Sequence, residues 1–456
     1  APARRRRPLM ALPPHRKYEI GHFVDFAEAV GYAAADRAGD FSFVEMAREL
    51  EREHLKLRLL FILSDRDHPN CLNLRQMMRA APKASAEDLE KIDIDPDAPA
   101  VFQLSGGTTG IPKIIPRTHN DYIFNSVGCS AANDMREGDG LLVCLPIGHN
   151  FPLASPGIQG MFIRGGRVIL AESPRAEHVL PLVAKERVTH LELVPAVLIR
   201  LLHDPALKNH DLSSVRIVNT GGQRLQPETS ALCEKLIPSC TVQEVFGMAE
   251  GLVTFNRLDD PPEVRYETIG PPWCEDDEIR LVDDDGKEVA PGEVGELTVR
   301  GPYTLRGYFK APEVNARAFS PDGFYLSGDL LRRHPSGGYV VEGRKKDLIN
   351  RGGEKISAEE VENMLLGHEA VRNVACVPMP DPVLGERTCA FVIPAPGTAP
   401  TLEALCAYLT AQGLAKFKMP ERLEIVTEFP LSPFGKVSKK DLAERIARIV
   451  NSEKKK

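Results

Sequence analysis

Ser105-Gly106-Gly107-Thr108-Thr109-Gly110-Ile111-Pro112-Lys113 packs three glycines and three hydroxyl side chains into nine residues. Such a run makes poor helix and poor strand. It makes a good phosphate cradle, with bare backbone N–H groups, short donors and a terminal cation. The apolar segment Ala100-Val101-Phe102-Gln103-Leu104 precedes it and reads as a strand. The loop therefore stands at a strand's carboxyl end, where open α/β sheets bind ligands. The usual P-loop pattern is excluded, because Ile111-Pro112 separates Gly110 from Lys113. A Gly-rich surface turn is the alternative, and the loop alone argues for a polyphosphate ligand and no more.

Working outward, 456 residues exceed one ordinary core and predict two or three domains. A composition of 43% hydrophobic and 27% charged residues is that of a globular protein. The net charge of −7 argues against a nucleic-acid binder. No apolar run reaches membrane-spanning length, so no membrane partner is expected. Nine cysteines without a Cys-x-x-Cys pair indicate neither zinc nor disulfides, and a cytoplasmic location fits them best. The basic cluster Arg4 to Arg7 is broken by prolines before a signal-peptide core forms. It reads, like Lys454-Lys455-Lys456, as a solvated tail.

Strand-like runs at Gly140–Leu145, Gly166–Leu170, Val188–Val194 and Val215–Val218 are mostly spaced by helix-length segments, which predicts a largely parallel sheet. Residues 278–300 change character, with two strands about the Asp283-Asp284-Asp285-Gly286 turn. They predict a smaller barrel-like β piece. The polar run Gly343-Arg344-Lys345-Lys346-Asp347 reads as a domain boundary. Beyond it, Ser357-Ala-Glu-Glu360 is a capping box opening a helix, followed by strands at 371–377 and 389–393, a helix at 402–410 and a strand at 422–426. The fold class is α/β: a large N-terminal domain of layered sheets and helices (1–345) and a small mobile C-terminal α+β domain (346–456).

Further segments carry chemistry. Phe246-Gly247-Met248-Ala249-Glu250-Gly251 sets one carboxylate between glycines, suited to a Mg²⁺ that bridges phosphates, or forming a plain turn. Ser327-Gly328-Asp329 closes an aromatic strand, where an aspartate can accept both hydroxyls of a ribose or stand as a plain turn residue. Arg344 is a surface residue or a ribose and phosphate clamp. Lys436 stands in the exposed loop Ser432-Pro-Phe-Gly-Lys-Val437. His149-Asn150-Phe151-Pro152-Leu153-Ala154-Ser155 mixes an aromatic, an amide and a hydroxyl, which suits a flat polar ligand.

In this order the motifs resemble the adenylate-forming superfamily of acyl and aryl ligases. Ile114–Tyr122, His149–Pro152, Val245–Val253, Gly301–Tyr308 and Asn350–Lys355 look like the 2,3-dihydroxybenzoate/salicylate–AMP ligases. Those enzymes load aryl acids onto carrier proteins for siderophore-type assembly. The likeness runs from about Leu9 to Glu444. It also implies a front portion ahead of Pro8–Arg16 that is missing here, and with it the opening elements of the large domain.

The resemblance implies ATP and Mg²⁺ as cofactors, a small aryl acid as substrate, and a phosphopantetheinylated aryl carrier protein, or CoA, as acceptor. Ser105 to Lys113, chiefly Thr108, Thr109 and Lys113, would hold the β- and γ-phosphates, and Glu250 the Mg²⁺. Asp329 and Arg344 would fix the ribose; Gly221-Gly222-Gln223, with Val245-Phe246-Gly247, would bind the nucleotide. Lys436 would bridge carboxylate, α-phosphate and ribose. Asn150, Phe151, Ser155, Gly222 and Val253 would line the aryl pocket, with His149 beside the reacting carboxylate. Among resembling enzymes a serine at the Ser155 position accompanies 2,3-dihydroxybenzoate, and a cysteine accompanies salicylate. Lys346 would be the hinge about which the small domain swings. An aryl-CoA ligase and a non-catalytic adenylate-binding protein are the rival readings; intact Lys436, Glu250 and Asp329 speak against the second.

Overall fold

The computed structural model describes residues 7–80, 85–105, 113–351, 354–412, 414–431 and 436–453. The chain forms two compact units, one of residues 11–98 and one of residues 1–10 with 99–456.

In the first unit a parallel sheet runs in the order Gly31–Ala35, Leu59–Leu63, Leu72–Asn73. Ser42 caps the helix Phe43–Glu53, accepting the Glu45 N–H, and that helix buries Val44, Met46, Ala47 and Leu50 at helical spacing.

The second unit is built on a six-stranded sheet ordered Val253–Phe255, Thr241–Gly247, Ile217–Gly221, His190–Leu193, Gly140–Val143, Arg167–Leu170. All neighbours pair in parallel except Val253–Phe255, so the expected parallel sheet is present. Three of its strands (Ile217–Gly221, His190–Leu193 and Gly140–Val143) are wholly buried; Gly140–Val143 is a continuous apolar run, whereas His190, Glu192, Asn219 and Thr220 bring polar side chains into the buried sheet. The crossover helices Ala176–Glu186 and Pro195–Leu202 pack Val179, Leu180, Val183, Val197, Leu198 and Leu201 on one face of the sheet. After Gly140–Val143 the chain goes to one side of that strand, then returns to add His190–Leu193 on the other. The strand order thus switches there, and the segment beginning at Cys144 leaves the sheet at a crevice that suits a ligand.

Two expectations change. The strand before the phosphate loop, Pro99–Leu104, is not in the parallel sheet; it pairs antiparallel with Ile114–Thr118 as a separate hairpin. The strand expected to stop at Ser327 instead runs through Tyr325–Arg333. Its pairing with Val294–Arg300 jumps from Thr298↔Leu326 to Glu296↔Leu330, so Ser327-Gly328-Asp329 bulges out of the ladder. Gly328, at φ +73, takes the left-handed conformation that the bulge needs. The β piece around it is a four-stranded antiparallel meander from Glu278–Val282 to Tyr339–Arg344.

Past the turn Lys345–Asp347, a five-stranded sheet carries the helices Ala358–Leu366 and Leu402–Ala411 on its core. Ser357 caps the first helix by accepting the Glu360 N–H, one half of the expected capping box, while the Glu360 carboxylate pairs with Lys418.

Candidate active site

The described site begins where the phosphate loop closes. Ser105 N–H donates to the Lys113 carbonyl, and Lys113 N–H donates to Ser105 Oγ, both at 2.9 Å. Gly106, Gly107, Thr108, Thr109 and Gly110 lie outside the described residues, as do Ser432 to Gly435. The Lys113 ammonium stands 4.6 Å above the Tyr308 ring. The Tyr308 hydroxyl donates to Glu250 Oε1 at 2.9 Å. Arg117, fully buried, donates to the Ala249 carbonyl at 2.7 Å and so ties the Glu250 turn to the hairpin below the loop.

Burial raises the Glu250 carboxyl above the usual range, against the pull of Tyr308 and Lys113. Asp329, 5% exposed, pairs through Oδ1 with Arg344 Nε at 2.8 Å. Burial raises it too, outweighing Arg344, Lys436 and Lys346. Two buried carboxylates thus face Lys113, Arg344, Lys346 and Lys436. Glu359 and Asp347 act on Arg344 and its neighbours as well, so the charges are mixed, and the lysines are the groups a polyanion would engage. Among the described residues no cluster of three or more ligating side chains could hold a metal alone. One buried carboxylate fits a Mg²⁺ held mainly by phosphate oxygens.

Lys436 is the pivot. A Cβ on Gly222 would stand 3.6 Å from its Cε and 3.9 Å from its Nζ. Gly222 follows the strand Ile217–Gly221 at φ +86, a left-handed conformation that favours glycine, and the lysine packs at ordinary contact distance beside it. Burial lowers the amine to about 8, assisted by Arg344 and opposed by Asp329. His149 caps the short helix Asn150–Ala154, its Nδ1 accepting the Phe151 N–H at 3.3 Å. Burial and Lys436 lower its imidazole to about 4, so it is neutral at pH 7. Lys346, in the turn after Arg344, is lowered by burial and by Arg344.

Beside this cluster lies an apolar wall. Phe151 packs with Val245, Val253, Phe255 and Tyr303. Gly221 keeps the strand spacing, since a Cβ there would meet Val245 at 2.6 Å. Asn150 and Ser155, expected as separate substrate contacts, are links of one hydrogen-bond chain. Gln103 Nε2 donates to Tyr122 Oη at 3.0 Å, and Tyr122 donates to Asn150 Oδ1 at 2.8 Å. Asn150 Nδ2 and Asn125 Nδ2 then both donate to Ser155 Oγ, at 3.0 and 3.1 Å. The serine hydroxyl proton is thereby directed elsewhere. Gln223 lies two residues past Ile217–Gly221, and Phe246 and Gly247 end the neighbouring strand Thr241–Gly247.

Sequence reasoning missed Tyr308, Arg117, Tyr122 and Asn125. Arg117 and Tyr122 lie in the segment whose Thr118 and Asp121 form a reciprocal capping box, a local signal for a fixed helix start. Nothing local marks Asn125. Glu359 was also missed: burial raises it to about 7, with Lys439, Glu362 and Arg224 as neighbours.

The AMP-binding enzyme profile matches residues 11–309, and the AMP-binding enzyme C-terminal domain profile matches residues 360–436. The chain belongs to the AMP-binding enzyme family. Within that family it is 47% identical to a salicylyl-CoA synthase / salicylate adenylyltransferase of a Streptomyces species, over 95% of this chain and 79% of that protein. It is 43% identical to the 2,3-dihydroxybenzoate-AMP ligase of Bacillus subtilis, over 96% and 80%. The apo structure of MbtA from Mycobacterium smegmatis superposes with a TM-score of 0.68 at 41% identity, covering 96% of this chain and 80% of that one. Among the described residues of this AMP-binding enzyme no helix is long and apolar enough to cross a membrane.

Proposed function

We propose that this AMP-binding enzyme activates an aryl acid with ATP and passes the acyl group to a thiol. One observation supports the reading: the Lys436 ammonium, close to Gly222, lies within electrostatic reach of both Asp329 and His149. A single cation thereby serves both the nucleotide and the acid.

In the first step a carboxylate oxygen attacks the α-phosphorus, the bond to the β-phosphate breaks, and pyrophosphate leaves. The carboxylate is a weak nucleophile repelled by the triphosphate, so the site must neutralise charge and fix geometry. Lys113 and the loop from Ser105 would hold the outer phosphates, Asp329 and Arg344 the ribose, and Lys436 the α-phosphate and carboxylate. Mg²⁺, held by Glu250, would neutralise phosphate charge. Phe151 would pack on the ring and Val253 line its side wall, and the Asn150–Ser155 chain would meet its hydroxyls. The Ser155 hydroxyl proton favours a 3-hydroxyl partner and hence 2,3-dihydroxybenzoate, with salicylate next.

In the second step the thiol sulfur attacks the acyl carbon and AMP leaves with the bonding pair. For this, residues 346–456 would swing about Lys346 and withdraw Lys436. The thiol would be the phosphopantetheine of an aryl carrier protein in a siderophore-type pathway; the similarity to a salicylyl-CoA synthase supports CoA as the second reading. Pyrophosphate exchange across a panel of aryl acids tests the activity, and adding CoA or carrier protein separates the acceptors. No exchange with any hydroxybenzoate would refute the proposal.

A further inference from the structure

Behind the Ser155 turn lies a carboxyl group that the chemistry above does not use. Glu192, on the central strand His190–Leu193, is 1% exposed. Its Oε1 accepts the Gly157 N–H at 2.9 Å. Gly157 sits two residues past Ser155 at φ +52, and a Cβ on it would stand 2.5 Å from the Pro152 backbone. The turn is therefore tightly determined, and Glu192 is its anchor in the sheet.

The surroundings bear on the protonation state of that anchor. Around Glu192 stand the Cys129 thiol from the helix His119–Ala132 and the Cys144 thiol past Gly140–Val143. His190 lies two residues back on the same strand. Gly157 and Asn219, from the remaining neighbouring elements, carry no charge. Glu192, Asn219 and Gln243 align in register on three adjacent strands. Glu192 Oε2, Asn219 Oδ1 and Gln243 Oε1 are each buried without a hydrogen-bond partner among the described residues. The amide nitrogens of Asn219 and Gln243 are engaged with Asn133 Oδ1 and with the Ala132 and Asn256 carbonyls, which fixes their oxygens as the acceptors left over. A carboxylate would add another acceptor and a charge to that row; a carboxylic acid supplies a donor. Burial pushes Glu192 up to about 8, in the same direction.

We propose that Glu192 is a positioning residue of the aryl-acid site, holding the Ser155–Gly157 turn as a neutral carboxylic acid. The proposal rests on the aryl-acid reading above. Its logic is electrostatic: the substrate is itself a carboxylate, and an ionised glutamate behind Ser155 would repel it in a medium that screens poorly.

Glu192→Gln keeps an oxygen for the Gly157 N–H and adds a donor, yet cannot ionise. Glu192→Leu removes the anchor. The assay is aryl-acid-dependent pyrophosphate exchange from about pH 6.5 to 9.5, with KM for the acid and for ATP determined separately. In the unaltered chain the acid KM should climb above about pH 8, approaching tenfold per pH unit. The Gln variant should stay within about twofold of it at neutral pH and climb less steeply above about pH 8, keeping only the part that Lys436 and the substrate contribute. The Leu variant should raise the acid KM about tenfold or more and leave the ATP KM unmoved. Lys436 and the substrate phenols titrate in every protein, so they cancel in the comparison. A Gln profile that superimposes on the unaltered one, or a Leu variant that shifts both KM values alike, overturns the proposal. If the Leu variant does not fold, the Gln comparison decides alone. Exchange absent from the unaltered chain would sink the aryl-acid reading and this proposal with it; exchange with the wrong Glu192 behaviour sinks only this one.

Discussion

Lys436→Ala is the sharpest perturbation of the proposed adenylation step. The ammonium stands against Gly222, and its charge reaches both Asp329 and His149. Removing one preorganised donor of this kind lowers a chemical step by about 10²–10³-fold, roughly 3–4 kcal/mol. The structure adds a signature in pH. Burial lowers the amine from 10.5 to about 8, so the charged form is present below that value and lost above it. With a value near 8, about nine-tenths of the lysine is protonated at pH 7 and about one-tenth at pH 9. Exchange in the unaltered chain should therefore fall roughly tenfold across that interval. The residual activity of Lys436→Ala should lack this part of the decline. Thiolation of aryl-AMP supplied directly should survive in the variant if, as proposed, Lys436 is withdrawn for that step. The reasoning fails if Lys436→Ala retains more than about a tenth of the exchange rate. It fails equally if both half-reactions drop together.

Three further expectations follow from the same geometry. Ser155→Cys replaces a hydroxyl that accepts from Asn125 and Asn150 with a weakly pairing thiol; the ratio of kcat/KM for salicylate over 2,3-dihydroxybenzoate should rise, and an unchanged ratio would remove Ser155 from the specificity argument. Glu250→Gln should lower exchange at least about a hundredfold. Because burial holds this carboxyl above its usual range, its ionised form opposes folding at pH above that range, so the neutral amide should leave Tm equal or higher; a clear drop in Tm by scanning fluorimetry would contradict this. Tyr303→Phe removes a hydroxyl that donates to Asp277 Oδ2 at 2.6 Å and accepts the Val253 N–H at 3.1 Å. It should destabilise the chain by about 1–3 kcal/mol in urea unfolding, and no loss would mean the two partners find other bonds.

Much of this protein is written in local order. The parallel sheet was legible because short strand-like runs, such as the apolar Gly140–Val143, alternate with helix-length segments. The helix after Ser357 was legible because its cap is a neighbour in sequence. Glycine-rich and acidic motifs marked Lys113, Glu250 and Asp329, since each needs its own few residues and no others to stand out. Burial, register and protonation belong to the tertiary structure, because they depend on residues far apart in the chain. Only the fold could join Gln103, Tyr122, Asn150 and Ser155 in one hydrogen-bond chain. Only the bulge about Gly328 could keep Asp329 inside a strand and opposite Arg344. And only the burial that the fold imposes on Lys436 turns an ordinary loop lysine into an amine near 8.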